Sequence, residues 1–156
     1  MMTINWGLLI IFIIVCNLIG AIGTIWTASD GSWYKGINKP SFNPPSWIFG
    51  PVWTLLFTLM GISLYLVWTS PSSNIKLIAL TLFVIQFLFN IAWSYLFFGL
   101  NKPLWSFIEI LVLLVFILIT TFYFIKVNKT AGYLLIPYFL WVSFASFLNY
   151  SIWRLN

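Results

Sequence analysis

Where this chain lacks charge sets what it can fold into. Its seven Lys or Arg and two acids are all the charge that 156 residues carry. Residues 1–29 have none, nor do 40–75, 77–101 or 130–153, and 103–125 is interrupted only by Glu109. A membrane-spanning helix needs about 20 mostly apolar residues, and each of these five windows holds one. The sequence therefore predicts spans near 5–27, 48–68, 77–98, 104–125 and 131–153. The runs are continuously apolar over helical length, without the ten-residue alternation of a membrane barrel. A soluble domain carries about a quarter charged residues; here the share is 6%, too little to keep a surface of this size in water. The expected fold is an all-α integral membrane protein, one five-helix transmembrane domain over residues 1–156, multi-pass in the bilayer.

The first span lacks a basic leading region, and its apolar stretch is longer than that of a signal peptide, so it is read as a mature helix. The lone Cys16 reads as a small buried hydrophobe. Three of the four connections are short, marked by Pro71 and Asn74, by Gly99, Asn101 and Pro103, and by Asn128 and Gly132. Short loops force neighbouring helices antiparallel. Lys35, Lys39, Lys102 and Arg154 then fall on one side and Lys76, Lys126 and Lys129 on the other, too even a split to orient the bundle. The net charge of +5 suits contact with anionic headgroups. With no basic domain, nucleic-acid binding is not expected.

The residue inventory removes most enzyme chemistry. There is no histidine, one cysteine, and two acids far apart in sequence. That leaves no ligand cluster for a metal and no Ser–His–Asp or Cys–His nucleophile. Tightly ligated haem iron lacks its usual ligands, and no phosphate-binding glycine loop occurs. No cofactor is called for.

Aromatic residues remain, at 21% of the chain. Trp6, Trp26, Trp47, Trp68, Trp105 and Trp153 fall near helix ends, where tryptophan collects at membrane interfaces; Trp105 also suits an inward position. Trp93 and Trp141 lie deeper, and an indole N–H at depth wants protein or ligand rather than lipid. Gln86, Asn90, Trp93 and Phe97 share one helical stripe by their spacing, as do Tyr138, Trp141, Ala145 and Leu148. Two readings stand side by side. The amides, Asn149 included, bond helix to helix, or the two stripes form a pocket with aromatic walls and few polar anchors. Small Ala145 between bulky neighbours leaves room for something flat. Glu109, about two turns after Pro103, is expected to reach the interface or to stabilise the positive helix end. The stretch from Ala28 to Trp47 holds three prolines and is the only long connection. Stiffened in this way it suits a lid over a pocket, or a Pro-rich loop on the membrane surface.

The run from Trp33 through Lys39-Pro40, Pro44-Pro45, Trp47 and Pro51-Val52-Trp53 to Met60-Gly61 resembles the signature of the tryptophan-rich sensory protein and translocator protein (TspO/MBR) family, also called peripheral benzodiazepine receptor homologues. Asn90-Ile91-Ala92-Trp93 with Phe97-Phe98-Gly99 agrees with it. So does Pro137-Tyr138 through Trp141, Phe144-Ala145, Leu148-Asn149-Tyr150 and Trp153-Arg154. The resemblance covers essentially the whole chain. It implies a five-helix bundle, often a homodimer, with a pocket closed by the first loop. Family members bind porphyrins such as protoporphyrin IX and synthetic isoquinoline carboxamide and benzodiazepine ligands, and the mitochondrial ones cholesterol. By match to family motifs, Tyr34 from the lid with Trp53, Phe57, Asn90, Trp93, Trp105, Trp141, Ala145 and Leu148 line the pocket. The cholesterol motif maps on Leu148, Tyr150 and Arg154. Light-dependent porphyrin degradation, proposed for bacterial members, would make Trp53 and Trp141 the candidate catalytic residues, with no metal. The resemblance thus implies a receptor or sensor for porphyrins, in the cell membrane for a bacterial chain. A porphyrin or sterol carrier is the alternative, and a structural subunit whose aromatics only pack is a third. The chain departs from relatives at Asn101-Lys102-Pro103 and in lacking a basic residue near the end of the first helix.

Overall fold

The computed structural model describes residues 3–29 and 31–156 and contains, among them, helices only. In chain order these are α1 (Trp6–Ala21), α2 (Thr24–Ser29), α3 (Gly31–Gly36), α4 (Ser46–Trp68), α5 (Asn74–Ser94), α6 (Pro103–Val127), α7 (Lys129–Leu134) and α8 (Ile136–Leu155), with a π-helical turn at Tyr95–Gly99 extending α5. Among the described residues, five stretches are long and apolar enough to cross a membrane: Trp6–Thr27, Ser46–Trp68, Asn74–Gly99, Pro103–Val127 and Lys129–Leu155. They fall on the five expected spans.

Local chemistry sets the ends. The side chains of Asn5, Ser73 and Asn128 accept from the backbone N–H of Leu8, Lys76 and Ala131, capping α1, α5 and α7. Pro103 opens α6, where a missing N–H costs nothing. Asn101 just before it takes a positive φ of 54°, a conformation that asparagine tolerates. Two spans are broken in ways the hydrophobic pattern does not register. The first turns at Ile22–Gly23 between α1 and α2, and the last at Leu135 between α7 and α8, just before Pro137.

The broadest contacts are α5 on α6 and α1 on α4, followed by α6 on α8. Met60, Val67, Phe124 and Ala131 are fully enclosed in the core. Ser63 Oγ donates to the Ala131 carbonyl (2.7 Å), tying α4 to α7. Glu109 departs from expectation. Its two carboxylate oxygens are buried with no hydrogen-bond partner among the described residues, rather than exposed as an interfacial position would have them. Seven residues into α6 it flanks the buried stripe of Ser106, Ile110 and Leu113, too far from the helix end to escape.

A candidate ligand cavity under an aromatic lid

Where α1 and α2, α4, α5 and α8 converge below the first long loop, they enclose a cavity of about 510 Å³. Such a volume lies within the usual range for small-molecule sites. Each helix contributes one stripe. From α4 come Phe49, Trp53 and Phe57, and from α5 and its π turn Asn90, Trp93 and Phe97; α8 adds Trp141, Ala145 and Leu148.

The walls are aromatic and held by their neighbours. Trp53 stacks on Phe57 (centroids 5.3 Å apart), and Phe57 stacks on Phe87 (5.7 Å). Trp93 stacks on Phe97 (5.1 Å), and Trp141 packs edge-on against Phe49 (6.0 Å). These offset and edge geometries are the ones aromatic rings favour. Phe57 can sit so close to α1 because residue 20 is glycine: a Cβ there would run into the Phe57 ring.

Two hydrogen-bonded chains fix the polar groups. Asn90 Nδ2 donates to the Tyr138 hydroxyl (3.0 Å), which donates to Gln86 Oε1 (2.8 Å). With its amide N–H thus engaged, Asn90 presents its carbonyl edge to other partners. Trp93 Nε1 donates to Asn149 Oδ1 (2.9 Å), and Asn149 Nδ2 to the Pro103 carbonyl (2.8 Å). The indole of Trp93 is therefore locked, whereas Trp141 Nε1 is buried without an acceptor among the described residues. Asn90 and Asn149 bond between helices, and both also border the cavity.

The loop is docked as a lid. Trp33 meets Phe97 edge-on (5.4 Å), and Tyr34 meets Phe98 edge-on (5.6 Å). The Tyr34 hydroxyl donates to Asn43 Oδ1 (3.0 Å), closing the loop on itself. Asn38 and Asn156 exchange bonds, N–H to Oδ1 and Nδ2 to carbonyl, both 2.9 Å, which pins the loop to the end of α8. Lys35 borders the cavity. The Lys39 ammonium instead folds onto the Lys35 and Ile37 carbonyls and over the Tyr34 ring.

Burial raises the pKa of the Tyr34 hydroxyl above the ordinary tyrosine range. The docked lid thus favours the protonated form, and its stability is complete below the unfolded value of about 10 and falls as pH rises past it. We expect limited proteolysis within residues 33–45 to accelerate above about pH 10 in the parent. Tyr34→Phe should flatten that profile; an unchanged profile would remove Tyr34 as its cause.

Of the positions the family resemblance assigns to a pocket, Tyr34, Trp53, Phe57, Asn90, Trp93, Trp141, Ala145 and Leu148 border this cavity. Trp105 does not. It is 61% exposed on the outer side of α6, because the adjacent Ser106 takes the inward position. The three cholesterol-motif residues are likewise separated. Leu148 points inward at 6% exposure, while Tyr150, two residues on and so on the far side of the helix, is 40% exposed. Tyr150 packs on Phe107 and Trp153, and Arg154 lies over the Trp153 ring. Sequence reasoning missed the contribution of the first span: Asn17, Gly20 and Thr24 also line the cavity. Their spacing of three and four, with an amide and small residues in an otherwise bulky apolar run, was the available signal.

The TspO/MBR family model matches residues 12–154. The tryptophan-rich protein TspO of Chlorobaculum tepidum is 43% identical over 147 residues, covering 91% of each chain. That of Archaeoglobus fulgidus is 42% identical over 149 residues, covering 95% of this chain and 96% of its own. The translocator protein of Homo sapiens is 36% identical over 138 residues, covering 86% of this chain and 82% of its own.

Proposed function

This chain belongs to the TspO/MBR family of multi-pass membrane proteins, in which sensing or transport is the expected role, and from that premise we propose that it is a receptor for flat, largely apolar tetrapyrroles such as protoporphyrin IX, held in the cavity beneath the lid. The observation that carries the reading is the pairing of two aromatic walls, each held by its own stacking, with a mostly apolar cavity in which polar groups such as Asn17, Thr54, Asn90 and Ser94 are scattered. A macrocycle gains offset stacking on Trp53, Trp93 and Trp141. Its propionates are satisfied at the lid, where the Lys35 ammonium is the cation bordering the cavity. Ala145 leaves the flat space between Trp141 and Leu148. The same cavity suits synthetic aromatic carboxamides, which serve as competing probes.

The test is tryptophan fluorescence quenching by protoporphyrin IX in detergent. The parent should quench saturably. A Trp53→Phe, Trp141→Phe double variant keeps two smaller rings in place of two indoles, so it should bind measurably more weakly without losing the stacking altogether. Unsaturable quenching that ignores both substitutions would mean partitioning into micelles and would end the reading. If light and dioxygen then consume the bound porphyrin, the products should depend on Trp53 and Trp141.

The relative named a translocator protein motivates a second reading, a carrier for such ligands. Flux of porphyrin into sealed vesicles separates it from a receptor, because binding alone moves nothing across the bilayer.

A further inference from the structure

The cavity beneath the lid is open on one flank. Of the residues that border it, the exposed ones are Ala21, Thr24, Lys35, Ser46, Gly50 and Thr54. They come from α1, α2, α3 of the lid and the first turns of α4, whereas every bordering residue of α5, its π turn and α8 is buried or half-buried. The mouth therefore lies on the α4 side of the first span. Apart from Lys35 its residues are small, and a Cβ added at Gly50 would meet nothing within 4 Å, so the space beside that helix turn is empty of side chains.

The break in the first span makes this opening. Before the break α1 lies against α4, tied by the Asn17 amide donating to Thr58 Oγ1 (3.2 Å) and by the Phe57 ring on Gly20. At Ile22–Gly23 the chain turns, and α2 packs on α5 and its π turn rather than on α4. Two glycines permit that approach: a Cβ at Gly23 would lie 2.8 Å from Ser94 Oγ, and one at Gly99 would lie 3.1 Å from the Trp26 ring. Trp26 then packs on Tyr95, with centroids 5.3 Å apart. α2 and α4 thus diverge, and the mouth is the gap between them. Leu18, Ile25 and Leu55 are exposed on the same two spans, as side chains facing hydrocarbon are. Trp47, 74% exposed in the first turn of α4, marks the headgroup level, and Gly50 and Thr54 lie one and two turns deeper.

We propose that this seam is the entrance to the cavity, through which a ligand dissolved in the bilayer passes sideways between the first and second spans while the lid stays docked. The inference rests on reading the cavity as a ligand site, but not on the ligand being a porphyrin. It makes Gly50 and Thr54 the residues that decide what gains entry, because their small size sets the free width. The rim hydroxyls bond within their own helices, Thr24 to the Ala21 carbonyl and Thr54 to the Gly50 carbonyl, so a passing apolar ring strips neither of its partner. A flat body that dissolves in hydrocarbon enters edge-first, and a molecule confined to water does not. Lys35, at the lid edge of the mouth, holds the acidic end of an entering amphiphile at the headgroup level.

Thiol labelling in lipid vesicles tests this without any porphyrin. Cys16→Ala removes the native thiol, and Ala145→Cys puts a single one on the α8 wall of the cavity. N-cyclohexylmaleimide, which dissolves in the bilayer, should label it faster than a sulfonated maleimide confined to water. Adding Gly50→Phe or Thr54→Phe should slow that labelling about tenfold, the rate cost of forcing a bulky ring aside at an overpacked contact. Both positions are exposed, so the fold should survive either change. Asn156→Ala, which releases the lid from the end of α8, should leave the rate as it was. A thiol reached no faster by the bilayer-soluble reagent overturns the proposal, as does parent-like labelling in both phenylalanine variants. So does acceleration by Asn156→Ala, because entry is then under the lid. Labelling that follows the expected pattern while protoporphyrin IX fails to quench saturably upholds the entrance and removes the porphyrin reading alone.

Discussion

Tyr138→Phe is expected to lower the melting temperature in detergent by a few degrees and to weaken porphyrin binding, although it removes a single oxygen. Tyr138 is 1% exposed, and its hydroxyl is the middle of the chain from Asn90 to Gln86. Without it the Asn90 amide loses its acceptor and Gln86 Oε1 its donor, beside a Gln86 Nε2 that already has no partner. Leaving buried polar groups unpaired costs about 1–3 kcal/mol each in soluble proteins. Between membrane helices one such bond averages about 0.6 kcal/mol, because the separated helices also find partners. The smaller figure governs each bond, and two bonds are lost, so we expect about 1–2 kcal/mol, or a few degrees in a chain of this size. The effect on binding has a different origin. The ring of Tyr138 keeps its edge contact with Trp53 (6.4 Å), so the wall stands, but the Asn90 amide is free to turn. A ligand that uses its carbonyl edge then meets a mixture of orientations. A variant that melts lower yet binds as the parent does would show that Asn90 is a structural amide only. Unchanged melting would show that the chain contributes nothing to the fold.

The spans were legible because the bilayer imposes one length on every helix, and the charges of this chain fall almost only between such lengths. The stripes bearing Asn90 and Trp93 or Trp141 and Ala145 were legible for a related reason: polar and small groups are expensive or conspicuous among bulky apolar ones. Neighbourhood was not legible. Spacing along one helix says which residues share a face, but not which helix that face meets, so Asn17, Gly20 and Thr24 went unassigned to the cavity. Trp105 is ambiguous for the mirror-image reason. A tryptophan in the first turn of a helix satisfies an interface as well as a pocket, and only the inward position of Ser106 decides between them. The π turn at Tyr95–Gly99 left no trace in the hydrophobic pattern, yet it carries Phe97 onto the cavity wall and under Trp33. Glu109 was expected at the interface because a charge in hydrocarbon is costly. Its burial follows from its place beside Ile110 and Leu113, which sequence cost alone does not override.

Gly61→Ala is expected to be among the most destabilising single-methyl changes in the chain, costing about 2–3 kcal/mol as overpacking at a contact that cannot yield. A Cβ at residue 61 would lie 2.6 Å from Ile13 Cα and 2.9 Å from both Ile13 N and the Phe12 carbonyl oxygen. All three are backbone atoms, so no rotamer change relieves the clash and α1 itself has to move. Gly50→Ala is the control. It lies in the same helix with nothing within 4 Å of the added methyl. Since alanine is the better helix former by up to about 1 kcal/mol, that variant should hold or gain stability. Thermal unfolding of both in one detergent decides the matter, and equal curves would mean that α1 is too loosely held to feel its neighbour. The displacement has a second consequence. α1 carries Gly20, against which Phe57 packs, so moving the helix loosens the Trp53–Phe57 stack behind the cavity wall. Gly61→Ala should therefore weaken porphyrin binding and lower thermal stability together, whereas Trp53→Phe, which leaves α1 in place, should weaken binding with the smaller loss of stability.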